Sequence, residues 1–118
     1  MDSRHQQRIK IVQQLFANQY DSKQNLNLKS KQVLKNRNKL DKYIQNNAPK
    51  YKIDKIAHVD LAILRLALFE MLIEQKQPNK VIINEAIELA KELGGNNSPA
   101  FINAVLGKIY EQSLNLGK

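Results

Sequence analysis

Three glutamates in the C-terminal half of the chain have a spacing that could support metal or acid–base chemistry. Glu85, Glu88 and Glu92 are three and four residues apart, which places them on one face of a helix. Two such glutamates resemble half of a dinuclear carboxylate site, but the Glu-x-x-His partner of such sites is missing. The chain has no cysteine, no HExxH motif and no glycine-rich phosphate loop, and its two histidines, His5 and His58, lie far apart. The sequence therefore predicts a solvated acidic helix face on a protein that is not an enzyme and uses no metal, cofactor or small-molecule substrate.

Positive charge is concentrated in the N-terminal half. The 118 residues carry a net charge of +8, but residues 1–55 hold 13 Lys/Arg against 4 Asp/Glu, whereas residues 56–118 hold 6 against 7. Arg4, His5 and Arg8 cluster in the first turns of a predicted helix, where positive charge opposes the helix dipole. Such a cluster favours contacts with nucleic-acid phosphates. A composition rich in Lys and Asn, with solvated faces, explains the same asymmetry without a ligand.

Sequence-selective RNA binding also needs stacking platforms and groups that read base edges. The candidate platforms are four aromatic residues, and the loop at residues 94–99 supplies Asn and Ser side chains for the base edges. Three of these aromatics lie on apolar stripes, so burial in the core is the favoured interpretation for most of them. The four are Phe16, Tyr20, Tyr43 and Phe101.

Apolar periodicity predicts an all-α fold, since no period-two alternation of useful length occurs. Polar residues 21–30 read as a connection, and residues 51–58 as a short helical turn. The segment from Val59 to Gln75 is apolar almost all round, which predicts a central helix. Arg65 inside it is expected to pair with a carboxylate, for which Glu70 and Glu74 are nearby candidates. The predicted long helices are 3–20, 31–46, 59–75 and 79–93, followed by one that opens at Ser98-Pro99.

Length and hydropathy indicate one soluble domain. The expected division is a basic helical part at residues 1–50 and a C-terminal helical part at residues 51–118. The start of the chain is polar, and no apolar run approaches the roughly 18 residues of a membrane span. We therefore expect a cytoplasmic protein that does not contact a membrane.

Two consecutive segments resemble the NusB family. They are VDLAILRLALFEML at residues 59–72 and QPNKVIINEAIELAKELGGNNSPAFINAVLGKI at residues 77–109. The family pattern is an acidic residue before an AILR run, followed by a P.K..INEA.ELAK run and an S..F.N motif. The match is long and without gaps, and RHQQRIKIVQQLF at residues 4–16 resembles the arginine-rich first helix of the family more weakly.

The resemblance implies an all-helical fold of two small packed subdomains. The connection at residues 21–30 is too short for the extra helix of many members, so a shortened or missing second helix is expected. The implied function is antitermination of transcription. A protein of this family binds the boxA element of nascent ribosomal RNA together with ribosomal protein NusE, within the antitermination complex of RNA polymerase.

The resemblance also implies which residues form the site. Phe16 and Asp60 stand at family positions that face the protein partner, and Asp60 is expected near the surface shared by RNA and NusE. Seven residues are assigned to RNA: Arg4, His5, Arg8, Lys80, Asn97, Ser98 and Phe101.

Two other interpretations of the family match remain. The chain could be a NusB-like module that acts mainly through protein contacts and whose RNA binding has weakened. A relationship to the NusB-like domain of some ribosomal RNA methyltransferases ranks last, because nothing in the sequence could bind S-adenosylmethionine.

Overall fold

The computed structural model describes residues 3–22, 25–48, 50 and 52–116, with side chains described up to residue 113. These residues form helices, turns and loops and include no strand. The all-α prediction is confirmed. In chain order the α-helices are α1 (Ser3–Asn18), α2 (Leu28–Lys35), α3 (Arg37–Asn47), α4 (His58–Phe69), α5 (Asn79–Leu93) and α6 (Ser98–Leu116).

Helix α4 lies at the centre of the fold, as its apolar sequence predicts. Every residue from Asp60 to Phe69 is buried, so the helix has no solvated face beyond its first two residues. Helices α1, α2, α3, α5 and α6 all pack against it. The candidate site residues of the first helix and of the last loop are therefore positioned by packing on this central helix.

The prediction of one continuous helix at residues 31–46 is wrong, because this part of the chain forms the two helices α2 and α3. Asn36 interrupts it with φ −100° and ψ 10°, and its side-chain nitrogen donates to the carbonyl of Gln32 at 2.8 Å. This side chain competes with the backbone for helical hydrogen bonds. Helix α2 also begins earlier than predicted, because the Oδ1 of Asn27 accepts from the N–H of Ser30 and caps it. With only eight residues, α2 is short, as expected for the second helix from the length of the connection at residues 21–30.

The predicted helix at residues 59–75 changes type before it ends. Residues Glu70–Glu74 form a π-helical turn, and Gln75 follows in the left-handed region with φ 54°. The wider turn brings the carboxylates of Glu70 and Glu74 to the ammonium of Lys29 in α2, at 3.3 and 3.1 Å. The turn therefore shapes a charged contact between α2 and the end of the central helix.

Arg65 pairs with a different carboxylate from the nearby candidates. It is 7% exposed, and its Nε and Nη2 donate to the two carboxylate oxygens of Asp41 in α3, both at 2.9 Å. A bidentate pair of this kind is geometrically specific and joins α3 to the central helix. No helix in the described part of the chain is long and apolar enough to cross a membrane.

Candidate nucleic-acid interface

The first turns of α1 carry three of the residues assigned to RNA. Arg4 is exposed, His5 is mostly buried with 15% of its side chain accessible, and Arg8 is only 5% exposed. The spacing of Arg4 and Arg8 places both beside a hollow that Lys29 and Glu70 also line. The three side chains are therefore close in sequence but differ in their access to an external ligand.

His5 bridges two glutamates of α5. Its Nδ1 lies 3.0 Å from Oε2 of Glu85, and its Nε2 lies 3.0 Å from Oε2 of Glu92. A carboxylate can only accept, so both ring nitrogens must donate, which is the hydrogen-bonding pattern of an imidazolium. The bonds to Glu85 and then Glu92 raise the pKa of His5 above 6.5, against a smaller lowering by burial. His5 therefore fastens α1 to the acidic face of α5.

Arg8 makes the most buried ion pair of α1. Its Nε and Nη2 donate to the carboxylate of Glu70 at 3.0 Å each, and Glu70 is only 3% exposed. Its Nη1 also lies 3.7 Å from Glu85, so Glu85 contacts both Arg8 and His5. The guanidinium is consequently held inside the fold, where it positions α1 on the π turn.

Four predicted site residues from two distant parts of the sequence line one cleft. The cleft encloses about 370 Å³ between the start of α4, the loop at residues 94–97 and the first turn of α6. Asn97 is exposed on its rim, and Phe101 is partly buried in its wall. We call it the Asp60 cleft; its lining includes Lys55, Val59, Asp60, Asn97, Ser98 and Phe101.

Asp60 and Ser98 have distinct roles in this cleft. Asp60 is 7% exposed, and its Oδ1 has no hydrogen-bond partner among the described residues. An unpartnered buried acceptor is costly, so this carboxylate has an unused capacity for a donor. Ser98 is buried, and its Oγ accepts from the N–H of Gly95 at 2.9 Å, so it fixes the loop. A Cβ on Gly94 would lie 2.5 Å from that oxygen, which explains the glycine.

The expectation that most of the aromatic platforms lie in the core is wrong. Phe16, Tyr20 and Tyr43 are 38%, 66% and 37% exposed. The rings of Phe16 and Tyr20 are 5.3 Å apart, and the hydroxyl of Tyr20 lies 2.6 Å from Nδ1 of His58. Phe16 and Val59 line a hollow of about 310 Å³, and Val59 also lines the Asp60 cleft. The two partner-binding candidates, Phe16 and Asp60, thus border adjoining depressions of one surface.

Lys80 lies away from both the Asp60 cleft and the aromatic rings of Phe16 and Tyr20. Two other residues at these places, Lys55 and His58, were not among the predicted site residues. Lys80 is exposed in the first turn of α5 and does not line the Asp60 cleft. Lys55 lines the cleft, and His58 supports Tyr20. The 3₁₀ turn at Ile53–Lys55 confirms the short helical turn predicted within residues 51–58, but the sequence did not indicate that this turn places Lys55 at the cleft.

The described residues place the chain in the class of small all-helical proteins, and comparison with known proteins identifies the family. The sequence profile of the NusB family matches residues 4–111. The structure is similar to that of "T. maritima NusB", with a TM-score of 0.81 and 27% identity, covering 93% of this chain and 92% of that one. The chain belongs to the NusB family.

Curated relatives have the same family name, transcription antitermination protein NusB. The protein from Clostridium novyi (strain NT) is 45% identical over 79 residues, which are 67% of this chain and 59% of the relative. The one from Chloroflexus aggregans is 48% identical over 80 residues, 66% of this chain and 53% of the relative. The Acetivibrio thermocellus protein is 41% identical over 113 residues, 96% of this chain and 77% of the relative. The matched part thus spans less than two thirds of the first two relatives.

Proposed function

We propose that this protein is a transcription antitermination factor that binds boxA-type RNA of nascent ribosomal RNA together with ribosomal protein NusE. In this role it acts in the cytoplasm as a non-catalytic adaptor of the RNA polymerase antitermination complex. The family membership and the name of the matched relatives support the proposal. The observation on which it mainly rests is the Asp60 cleft, where Asp60, Asn97, Ser98 and Phe101 come together.

The chemistry of the cleft suits an unpaired nucleotide. Phe101 offers an apolar wall for a base, and the exposed amide of Asn97 can both donate to and accept from a base edge. The unpartnered Oδ1 of Asp60 can accept from an exocyclic amino group or from an N–H of the protein partner. Lys55 adds a cation at the cleft for a phosphate.

The neighbouring aromatic surface suits the protein partner. Phe16 and Tyr20 expose large rings, and such residues are enriched at the centres of protein interfaces. Because Val59 borders both depressions, a protein seated on Phe16 would also approach the RNA in the Asp60 cleft. This arrangement supports joint binding of RNA and NusE.

One observation favours a second candidate, a NusB-like protein-interaction module with weakened RNA binding. His5 and Arg8 already use glutamates as partners, so RNA must compete with Glu85, Glu92 and Glu70 for them. The contribution of the α1 turns to RNA affinity is then smaller than their charge suggests.

Fluorescence anisotropy with labelled boxA-type RNA and a scrambled control tests the two candidates. We expect a preference for boxA that sharpens when NusE is added, measured at two salt concentrations. Asn97→Ala and Phe101→Ala should reduce that preference, whereas Glu88→Gln on the exposed face of α5 serves as the control. Equal, salt-sensitive binding to both RNAs, or no detectable binding while NusE still binds, would contradict the first candidate and support the second.

A further inference from the structure

A second hollow adjoins the Asp60 cleft on the α3 side of Phe101. It encloses about 270 Å³ between the end of α3 and one face of α6. Phe101, Ala104 and Lys108 follow each other on that face at spacings of three and four residues, and Phe101 lines both depressions. We call it the Lys108 hollow; its lining includes Asn47, Lys50, Phe101, Ala104, Val105 and Lys108.

The charge of the Lys108 hollow differs from that of the other lysine-bearing depressions. Lys50 and Lys108 are exposed at it, and neither forms an ion pair with the described residues. No described acidic residue lines it, whereas the hollow beside Arg4 contains Glu70 and Glu74. The Lys108 hollow therefore combines an apolar floor with two lysines and no described carboxylate, unlike the hollow beside Arg4 and the Asp60 cleft.

Asn47 provides a polar group in the wall. It is 6% exposed, and its Nδ2 donates to the carbonyl of Tyr43 at 2.8 Å. Its Oδ1 has no hydrogen-bond partner among the described residues. A buried amide oxygen without a donor favours a ligand that brings an amino or hydroxyl group.

We propose that the Lys108 hollow binds one further nucleotide of the RNA strand that occupies the Asp60 cleft, after the strand has crossed Phe101. The base lies on the apolar floor beside Phe101 and Ala104, and its phosphates lie between Lys50 and Lys108. A base amino group or a ribose hydroxyl approaches Oδ1 of Asn47. This inference rests on the proposed RNA binding and extends it to a subsite between α3 and α6.

A nucleotide fits better than an acidic peptide for two reasons. The hollow is continuous, through Phe101, with the cleft that already suits a base. A base with its phosphate also combines a flat apolar surface with a fixed negative charge, which matches the apolar floor and its two lysines. An acidic peptide satisfies the lysines but makes no use of that continuity.

The test compares a core boxA-type RNA with the same RNA extended by a few nucleotides at the 5′ end or at the 3′ end. We expect one extension to raise the affinity of the wild-type protein by roughly tenfold, the gain of one stacked base. Ala104→Leu fills the hollow and should abolish this gain. Lys50→Gln/Lys108→Gln should abolish it too and reduce the salt slope for the extended RNA by about 1.4. The charge-matched control is Lys76→Gln/Lys91→Gln, at two exposed lysines outside the hollow.

Each outcome separates this inference from the proposed function. All variants should bind the core RNA as the wild type does, and the backbone NMR signals of Ala104 and Lys108 should shift only with the extended RNA. If the core RNA binds but neither extension adds affinity, or if the control loses the gain equally, the subsite is refuted while RNA binding stands. If an oligoglutamate peptide shifts those signals and the extended RNA does not, the hollow belongs to a protein partner. If the core RNA does not bind at all, both proposals fail.

Discussion

His5 has its protonation state determined by its two partners. Glu85 and Glu92 are seven residues apart on α5, which places them two turns apart on one face, and the imidazole lies between them. Since both bonds require a ring N–H, the contact between α1 and α5 is complete only when His5 carries its proton. His5 thus stabilises the packing of α1, which also bears Arg4 and Arg8, against α5 in a pH-dependent way.

The raised pKa of His5 predicts a loss of stability as the pH rises. Below its ordinary pKa of 6.5, His5 is protonated in the folded and the unfolded chain, and the stabilisation is fully present. Above that value the unfolded chain loses the proton first, and the stabilisation disappears as the pH passes the raised folded value. His5→Gln should therefore lower the free energy of unfolding more at about pH 6 than at about pH 8.5, measured by urea denaturation. An equal loss at both pH values would contradict the charged bridge.

Gly94 and Gly95 make a matched pair for testing the loop before α6. A methyl group at Gly94 would lie 2.5 Å from Oγ of Ser98 and 2.9 Å from the carbonyl oxygen of Ala90, whereas one at Gly95 meets nothing within 4 Å. Gly94→Ala should cost about 1–3 kcal/mol by overpacking, while Gly95→Ala should stay within about 0.5 kcal/mol. Thermal unfolding by circular dichroism measures both. A Gly94→Ala protein as stable as the Gly95→Ala protein would show that Ser98 moves aside at little cost.

Side-chain partners were the least predictable feature at this scale. The sequence indicates that Arg65 needs a carboxylate, but Asp41 comes from α3, 24 positions away, and the nearer Glu70 pairs with Arg8. Charge types and spacing on one helix do not encode which neighbouring helix faces it. The assignments of Arg4, His5, Arg8 and Lys80 to RNA stay predictions, since their contacts within the fold do not test them.

At the scale of elements, Arg8 and Glu70 join the first helix to the π turn. Arg8→Gln would leave the buried carboxylate of Glu70 without its bidentate partner, which should cost about 3–5 kcal/mol in the free energy of unfolding. Arg4→Gln, at an exposed position one turn away, should change it by less than about 0.5 kcal/mol. Urea denaturation of the two variants provides the comparison. Equal stability of the two variants would mean that α1 is held mainly by its apolar face.

The sequence predicts the bounds of a helix correctly where proline or glycine marks its ends. It does not predict a break within a helix that depends on a single side-chain contact. The boundaries of α5 match the prediction because Pro78 precedes it and Gly94 follows it. The break at Asn36 depends on one side-chain bond to Gln32, and Asn is tolerated within many helices. The π turn at Glu70–Glu74 likewise forms ion pairs with Lys29 and Arg8 of other helices, and these contacts cannot be inferred from its own sequence.

At the scale of the whole molecule, the surface is predictable in composition but not in shape. The family match pointed to Asp60, Asn97, Ser98 and Phe101, and the fold of α4 against α6 brings them to one cleft. The exposure of Phe16 and Tyr20 had no signal in the sequence, because an apolar stripe looks the same whether or not a neighbouring helix covers its edge. Only the packing of α1 on α4 decides that.

The charge asymmetry of the chain leads to a prediction about salt. Residues 1–55 hold 13 Lys/Arg against 4 Asp/Glu, and Lys31, Lys35 and Lys39 are exposed on α2 and α3. If they attract RNA, Lys31→Glu/Lys35→Glu/Lys39→Glu should reduce the slope of log affinity against log salt by about 2, at roughly 0.7 per lost phosphate contact. Anisotropy titrations with boxA-type RNA over a range of salt concentrations measure this slope.

The control for this effect is Lys91→Glu, an exposed lysine that pairs with Glu88 on the acidic face of α5. We expect it to weaken binding only slightly and to keep the wild-type slope, because no phosphate contact is lost there. Circular dichroism should find both variants folded, since the substituted side chains lie at the surface. An unchanged slope in the triple variant would mean that the lysines of α2 and α3 are solvated faces. The electrostatic contribution to binding of this RNA would then have to come from other cations, of which Lys55 lines the Asp60 cleft.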